Sequence, residues 1–196
     1  FFHVFVYNPG YYLDNPNLIY AVWNGGLSFH GGALGAFLAT YIFAKKKKKD
    51  FLMIADMIVI PAALGLSLGR IANFINGELF GRTTNLPWAV KFPGAEEFRH
   101  PSQIYESFKN FLIFLILLHL KRKNLPKGSL LAAFFIFYSI FRTLIEFVRE
   151  PTEYGLILEF ITFGQILNII MLISILVIAY KKNLFPFHYK FNLSNE

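Results

Sequence analysis

The stretch from Gly69 to Arg82 holds the polar residues whose types and spacing best suit chemistry. It follows a long apolar run and packs two arginines, two asparagines, a glutamate and three glycines into fourteen residues. An arginine fork beside amide donors is suited to gripping a phosphate, and glycines permit the backbone turns around it. An ordinary helix cap with interfacial arginines is the weaker reading, since it leaves this density of polar residues unexplained. The candidate binding residues here are Arg70, Asn73, Asn76, Glu78 and Gly81.

A second polar set follows helical spacing farther along the chain. Its members are Tyr138, Arg142, Glu146 and Arg149, at intervals of four, four and three residues. On a helix they form one narrow stripe. Charged side chains inside a membrane are costly, usually face the bundle interior and mark function, so we predict catalytic roles for the first three and substrate binding for Arg149. A structural arginine–glutamate pair beside an arginine that reaches the helix end is the alternative.

Three further polar residues lie in or beside apolar segments. His30 opens the first of these segments, and its imidazole could accept a proton near neutral pH or merely bridge helices. Glu106 lies about one turn into the third segment, after Pro101 and Ser102, where a carboxylate favours the helix dipole, so helix capping can explain it. Asp56, in the second segment, is expected to be structural.

The apolar segments set the fold class. The chain is 55% hydrophobic with a mean hydropathy of +0.46. We predict an all-α, polytopic integral membrane protein with about five spanning helices, a polar extracytoplasmic loop at 83–101, and one membrane domain over residues 1–196. The predicted spans are Leu27–Ala44, Phe51–Leu68, Ile104–Leu120, Leu130–Val148 and Phe160–Tyr180.

The positive charge reports topology rather than a nucleic-acid partner. Of nineteen lysines and arginines, twelve lie in the loops at 45–49 and 121–127 and in the tail after residue 180. The positive-inside rule places these three segments in the cytoplasm and the Arg70 stretch outside. At a rise of about 1.5 Å per residue, His30 and Arg142 each lie about 22 Å from that side, so both can meet Arg70.

Several kinds of chemistry have no residues in this sequence. There is no cysteine, so a reacting thiol must arrive with a substrate. The three aspartates show no metal-ligand spacing, and no histidine–glutamate cluster does either, so we expect neither a metal nor another cofactor. Neither a nucleophile elbow nor a phosphate-binding loop of the P-loop type is present.

Four motifs, in order, closely resemble the prolipoprotein diacylglyceryl transferase family. The family's Gly-Arg-x-x-Asn-Phe-x-Asn-x-Glu-x-x-Gly matches Gly69–Gly81, and its His-Gly-Gly-x-x-Gly matches His30–Gly35. His-Pro-Ser-Gln-x-Tyr-Glu matches His100–Glu106, and Tyr-x-x-x-Arg-x-x-x-Glu-x-x-Arg matches Tyr138–Arg149. Four motifs in order are far more specific than one. The resemblance covers residues 23–182.

The resemblance implies a reaction and its partners. The family moves a diacylglyceryl group from phosphatidylglycerol to the lipobox cysteine thiol of a preprolipoprotein signal peptide, without a metal, at the extracytoplasmic side of the bacterial inner membrane. By resemblance, the functional positions are His30, Arg70, Asn73, Glu78, Gly81, Tyr138, Arg142 and Glu146. We predict His30 as base, Arg70 and Arg142 as stabilisers of the leaving phosphate, Glu146 as a holder of Arg142, and Asn73 as a contact to the glycerol head group.

Two departures and three alternatives accompany this resemblance. Family members carry further N-terminal helices with a His-Trp-Tyr-Gly-like segment, which we expect to precede Phe1, and the 83–101 loop is shorter than in many members. The alternatives are a transporter or non-catalytic binding protein for phospholipid or anions, a different head-group transferase, and an inactive homologue. A transporter would favour inverted repeats, and such a transferase would usually hold a divalent metal on clustered aspartates. Neither feature is apparent here.

Overall fold

The computed structural model of the protein describes residues 9–15, 29–150, 156–157 and 161–184. The chain divides into two compact units, Phe1–Ile54 and Ala55–Glu196, and each is described by itself. The elements in order are α1 (Pro9–Asp14), α2 (Phe29–Lys46), α3 (Phe51–Asn76), α4 (Ser102–Lys121), α5 (Ser129–Glu146), β1 (Leu156–Ile157), β2 (Ile161–Thr162) and α6 (Phe163–Lys181). The strands pair antiparallel, and the rest of the regular structure in these ranges is helical.

Each predicted apolar segment coincides with one of the helices α2 to α6, which confirms the helical class. Of the described helices, α3 and α5 are long and apolar enough to cross a membrane, by length and composition. The segment Gln165–Lys181 of α6 is apolar but shorter. The number of spans therefore stays a prediction.

In the first unit, α2 turns into the start of α3 through the lysine-rich segment. Asp50 begins α3, because its Oδ1 accepts a hydrogen bond of 2.8 Å from the backbone N–H of Leu52. The Phe51 ring packs edge-on against Phe37 and Tyr41, with centroid distances of 5.4 and 6.4 Å. These contacts fold the end of α2 back onto the first turn of α3.

Helix α3 is longer than its apolar run. The sequence predicted a span ending at Leu68, but the helix continues to Asn76 and carries Arg70 on its last turns. Gly77 follows the last helical residue and stops the helix, because its φ of +72° is a conformation that glycine adopts at little cost. Leu79 then adopts φ +57°, so the chain reverses tightly after the helix.

Helix α4 buries polar residues and exposes apolar ones. Its buried side is formed by Ser102, Gln103, Glu106, Ser107, Lys109, Asn110, Ile113 and Leu117. Its exposed side includes Ile104, Phe108, Phe111, Leu115 and Leu118. This is the inverse of the pattern that a helix shows in water, and it is typical of a helix between lipid and a polar interior.

An apolar core joins α3, α4 and α5 below their polar ends. Its buried members are Val59, Ile60, Ala63, Ile113, Leu117, Leu130, Ala133 and Phe134. At the polar end of this core, Ser67 of α3 donates a hydrogen bond of 2.9 Å to the carbonyl oxygen of Ser107 in α4. Helix α6 packs on α5, where Ala132 and Ala179 share a buried cluster. The packing fixes the register that brings the three polar helix ends together.

Asp56 has the structural role expected of it, and the contact is specific. Its carboxylate accepts hydrogen bonds from the backbone N–H groups of Gly128, at 2.7 Å, and Leu131, at 2.8 Å. These groups lie at the first turn of α5, where N–H donors have no partner within the helix. A carboxylate of α3 thus caps the helix that carries Arg142.

Replacing Asp56 with alanine removes both acceptors, and we expect a loss of about 1–2 kcal/mol in the free energy of unfolding. Asp56→Asn keeps one carbonyl oxygen and should lose less. Thermal unfolding in detergent measures both effects, with Glu97→Ala in the exposed loop as the control. An Asp56→Ala protein that unfolds like the wild type would show that the cap does not stabilise α5.

Candidate active site

The centre of the site is the Glu106 carboxylate, held between two arginines. Glu106 is only 1% exposed. Nη1 of Arg149 donates a hydrogen bond of 2.6 Å to its Oε1, and Nε of Arg70 lies 2.9 Å from its Oε2 as an ion pair. Arg70 comes from α3 and Arg149 from the segment after α5, so one carboxylate joins three parts of the chain. Helix capping, the simpler explanation that the sequence allowed for Glu106, does not account for these contacts, because both oxygens face arginines.

The signal for Glu106 was present in the sequence. A glutamate in a predicted span is as costly as the acids and bases of the Tyr138–Arg149 stripe, and the same reasoning that marked the stripe applies to it. Its position near a helix start hid this, since capping offered a cheaper explanation. The arginine partners lie 36 and 43 residues away in sequence. Only the tertiary structure could therefore reveal the arrangement of Arg70, Glu106 and Arg149, which we call the Glu106 clamp.

Arg142 and Glu146 form the ion pair that their spacing predicted. They lie one turn apart on α5, and the Nη1 of Arg142 donates a hydrogen bond to Oε2 of Glu146. The Glu146 side chain is 5% exposed, so this pair is screened from solvent. Arg149, at the end of the same stripe, reaches into the interior to Glu106 instead of extending outward.

Four cations surround Glu106. Arg70, Lys109, Arg149 and Arg142 all interact electrostatically with its carboxylate. The cluster's other buried carboxylate is Glu146. Cations therefore outnumber carboxylates in the described cluster, which leaves it suited to an anion. The predicted meeting of Arg70 and Arg142 stays a prediction, and it is supported by the electrostatic effect of both residues on Glu106.

Tyr138 contacts this cluster through Lys109, a residue that no sequence motif marks as functional. Nζ of Lys109 lies 4.1 Å from the centroid of the Tyr138 ring, a cation–π contact. The ring stacks on Phe134 of the preceding turn, with centroids 5.6 Å apart. Lys109 is 4% exposed, which is rare for lysine. The resemblance motif ends at Glu106, three residues before Lys109, so motif matching does not reach it.

The turn after α3 places Asn73 and Glu78 beside each other. Nδ2 of Asn73 donates a hydrogen bond of 3.2 Å to Oε2 of Glu78. Asn73 thus has a hydrogen-bond partner within the chain. Its contact to the glycerol head group stays a prediction. Asn76 ends α3 with an exposed side chain.

Two residues of α4 fix the backbone of this turn. Gln103 donates through Nε2 to the carbonyl oxygen of Glu78 at 2.6 Å, and Ser102 donates through Oγ to that of Leu79 at 3.1 Å. Both belong to the His100–Glu106 motif, but the sequence analysis gave them no role beyond starting the helix. The motif therefore serves the Arg70 stretch as well as its own helix.

Gly81 is a structural requirement of the site. Its N–H donates to the carbonyl oxygen of His100 at 2.9 Å, and it forms a β-bridge with Arg149. A Cβ at this position would overlap the carbonyl oxygen of Val148 and lie 2.9 Å from the Cβ of His100. The next residue, Arg82, donates through Nε to the Arg149 carbonyl oxygen at 2.7 Å. Together these contacts anchor the backbone from which Arg149 reaches Glu106.

The neighbouring loop carries a small polar network. Nε1 of Trp88 donates a hydrogen bond of 2.7 Å to the hydroxyl of Tyr105, and Nδ1 of His100 lies 3.4 Å from the same hydroxyl. Partial burial lowers the pKa of His100 below its usual value, which favours the neutral imidazole. The network is therefore less prone to carry a positive charge than a solvent-exposed histidine would be.

The predicted role of His30 lies outside the described side chains. His30 belongs to the first turn of α2, but its side chain is not among the described ones, so its meeting with Arg70 and Arg142 stays a prediction. Within the described ranges, no group of three histidine, aspartate or glutamate side chains could hold a metal.

Comparison with known proteins places the same motifs in one family. The family described as prolipoprotein diacylglyceryl transferase matches residues 1–181. Relatives named phosphatidylglycerol–prolipoprotein diacylglyceryl transferase include one from Aliivibrio fischeri, 44% identical over 94% of this chain and 69% of its own length. One from Geobacter sulfurreducens is 44% identical over 90% and 69%, and one from Rickettsia canadensis is 49% identical over 87% and 68%.

Glu106→Ala leaves Arg70 and Arg149 without their shared carboxylate, and we expect it to lower the free energy of unfolding by about 3–5 kcal/mol. Glu150→Ala is the matched control. Glu150 also pairs with an arginine, Arg99, at 2.9 Å, but its side chain is 50% exposed, so its loss should cost less than about 1 kcal/mol. Chemical unfolding monitored by tryptophan fluorescence compares them, and equal losses would mean that burial of Glu106 adds nothing.

Proposed function

The chain belongs to the prolipoprotein diacylglyceryl transferase family, and from this we infer that it transfers a diacylglyceryl group from phosphatidylglycerol to a prolipoprotein. This is the first step of lipoprotein lipidation. The observation that carries the proposal at the level of the site is the excess of cations around Glu106. The lipid substrate, phosphatidylglycerol, is an anion, and the glycerol phosphate that is released from it carries more negative charge.

The acceptor atom is the thiol of the prolipoprotein's lipobox cysteine. This chain has no cysteine, so the sulfur must come from the substrate. A new sulfur–carbon bond forms as the carbon–oxygen bond to the phosphate breaks, and glycerol phosphate leaves with the released oxygen. A free thiol has a pKa of about 8.5, so a base must take its proton near neutral pH. We assign that proton transfer to His30, and the match of His30–Gly35 to the family's His-Gly-Gly-x-x-Gly motif supports this assignment.

Arg70 and Arg142 stabilise the leaving phosphate. Charge builds on the phosphate oxygens as the carbon–oxygen bond breaks, and fixed cations lower the energy of that state. Both residues approach the interior from different helices, and each has a buried carboxylate that holds its guanidinium in place. Tyr138 lies on the same stripe of α5 as Arg142, and its ring contacts Lys109 of the cationic cluster. Arg149, Asn73, Asn76, Glu78 and Gly81 complete the substrate side of the site.

The enzyme acts from within the bacterial inner membrane as a multi-pass protein of one membrane domain. The apolar outer face and polar inner face of α4 support this placement. So do the apolar helices α3 and α5. The lysine run at 45–49 and the basic loop at 121–127 favour a cytoplasmic side opposite the site, which then opens on the extracytoplasmic side. The partners are phosphatidylglycerol and the signal peptide of the preprolipoprotein.

The test is a transfer assay with phosphatidylglycerol vesicles and a lipobox peptide that carries a single cysteine. Mass spectrometry should detect the diacylglyceryl gain on the peptide, and EDTA should leave it unchanged. Arg142→Ala should reduce the rate at least about 100-fold, because a donor to the developing oxyanion is lost. The control is Arg122→Ala, which should keep the wild-type rate. Arg122 is an exposed arginine that directly follows α4, at the end of that helix far from Glu106.

Two results would contradict the proposal. A wild-type protein that binds or moves phosphatidylglycerol without modifying the peptide would favour a lipid transporter. Normal turnover by Arg142→Ala would remove the phosphate role from that residue, above all if His30→Ala abolished turnover in the same assay.

A further inference from the structure

Lys109 is a buried cation of the described cluster whose Nζ donates no hydrogen bond to a carboxylate there, although the Glu106 carboxylate acts on it electrostatically. Its side chain lies on the inner face of α4 and is 4% exposed. Glu106 is taken by Arg70 and Arg149, and Glu146 by Arg142. Among the residues that the structure describes, Nζ of Lys109 has no hydrogen-bond partner, and its closest recorded contact is the Tyr138 ring at 4.1 Å. An ammonium group that has left water normally has a carboxylate or several acceptors around it.

The same face of α4 carries two more unsatisfied polar atoms. Oε1 of Gln103 and Oδ1 of Asn110 are buried and accept no hydrogen bond from the described residues. Gln103 is 1% exposed and Asn110 is 2% exposed. Buried polar groups are rarely left unpaired, and such groups call for a ligand or an ordered water. Asn110 follows Lys109 directly in the chain, so this pair offers one cationic donor and one acceptor, which suits an anionic group that also carries a hydroxyl.

We propose that Lys109 binds the phosphate of the glycerol phosphate group during transfer and stabilises the charge that it gains. This rests on the proposed function and names a further residue for it. Ammonium N–H groups supply the charge-assisted donors that a phosphate accepts. The unsatisfied Oδ1 of the adjacent Asn110 suits a hydrogen bond from a glycerol hydroxyl.

The chemistry explains why one more cation is useful. Phosphatidylglycerol carries one negative charge on a phosphodiester. When its carbon–oxygen bond breaks, both electrons stay on the phosphate oxygen, and the product is a phosphate monoester with about two negative charges at neutral pH. The thiol proton leaves to the base, so the added negative charge remains at the phosphate. Lys109 therefore stabilises the transition state, in which the phosphate is more negative, more than it stabilises the bound lipid. Its replacement should lower kcat more than it raises KM.

The experiment compares Lys109→Met, which keeps an unbranched apolar side chain, with Lys109→Arg, which keeps the charge. Lys121→Met, at the exposed end of the same helix, is the control. The full transfer assay gives kcat and KM for phosphatidylglycerol. Inhibition by added glycerol 1-phosphate measures binding of the product separately from the lipid.

We expect Lys109→Met to lower kcat about 10-fold or more, with a change in KM below about 3-fold. Inhibition by glycerol 1-phosphate should weaken about 10-fold, while Lys109→Arg keeps most of both properties. In lipid-free detergent Lys109→Met should melt at or above the wild-type temperature, because it removes a buried charge that has no hydrogen-bond partner in the described site. A purely structural lysine would give the opposite melting result.

Two results would overturn the proposal. One is wild-type kcat and wild-type inhibition in Lys109→Met. The other is a lowered melting temperature with lost activity that Lys109→Arg does not restore, which would assign Lys109 to packing against Tyr138. If the wild type transfers nothing, the proposed function fails instead. A glycerol 1-phosphate thermal shift that is present in the wild type and absent in Lys109→Met would still support the phosphate contact.

Discussion

The Glu106 carboxylate and its two arginines are the constraint on which the rest of the site depends. Arg70 comes from α3 and Arg149 from beyond α5, and their shared partner lies on α4. A carboxylate buried to this extent is stable only with cations at hand, and the cations are positioned only while it stays charged. The surrounding contacts serve the same clamp, since the backbone around Gly81 anchors Arg149 and the Gln103 side chain fixes the turn that follows Arg70.

This constraint gives α4 its inverted character. A helix that turns Glu106, Lys109 and Asn110 inward must present its apolar residues outward, and in lipid that arrangement costs little. Below the charged layer, the apolar core of α3, α4 and α5 holds the register. The structural and the functional residues are therefore separated along the helix axes. Apolar packing fixes the helices, and their polar ends hold the cations that a phosphate substrate needs.

The sequence predicted much of this arrangement, and the parts it missed share a cause. Apolar run length predicted the helices, and i to i+4 spacing predicted the Arg142–Glu146 pair, because both are local properties of one helix. The apolar run marked only the end of the span at Leu68, and the end of α3 at Asn76 came from the structure, because hydropathy does not show where a helix stops. The Glu106 clamp and the buried position of Lys109 depend on how three helices pack, which no single stretch records.

The most direct test of the clamp is a double-mutant cycle on the transfer rate with Arg70→Gln, Glu106→Gln and the double variant. If Glu106 acts by holding Arg70 and Arg149, each single variant is slow, and Glu106→Gln costs much less once Arg70 is already changed. Coupled neighbours typically deviate from additivity by about 0.5–3 kcal/mol. Losses that simply add would contradict the clamp and show that Glu106 and Arg70 serve the reaction independently.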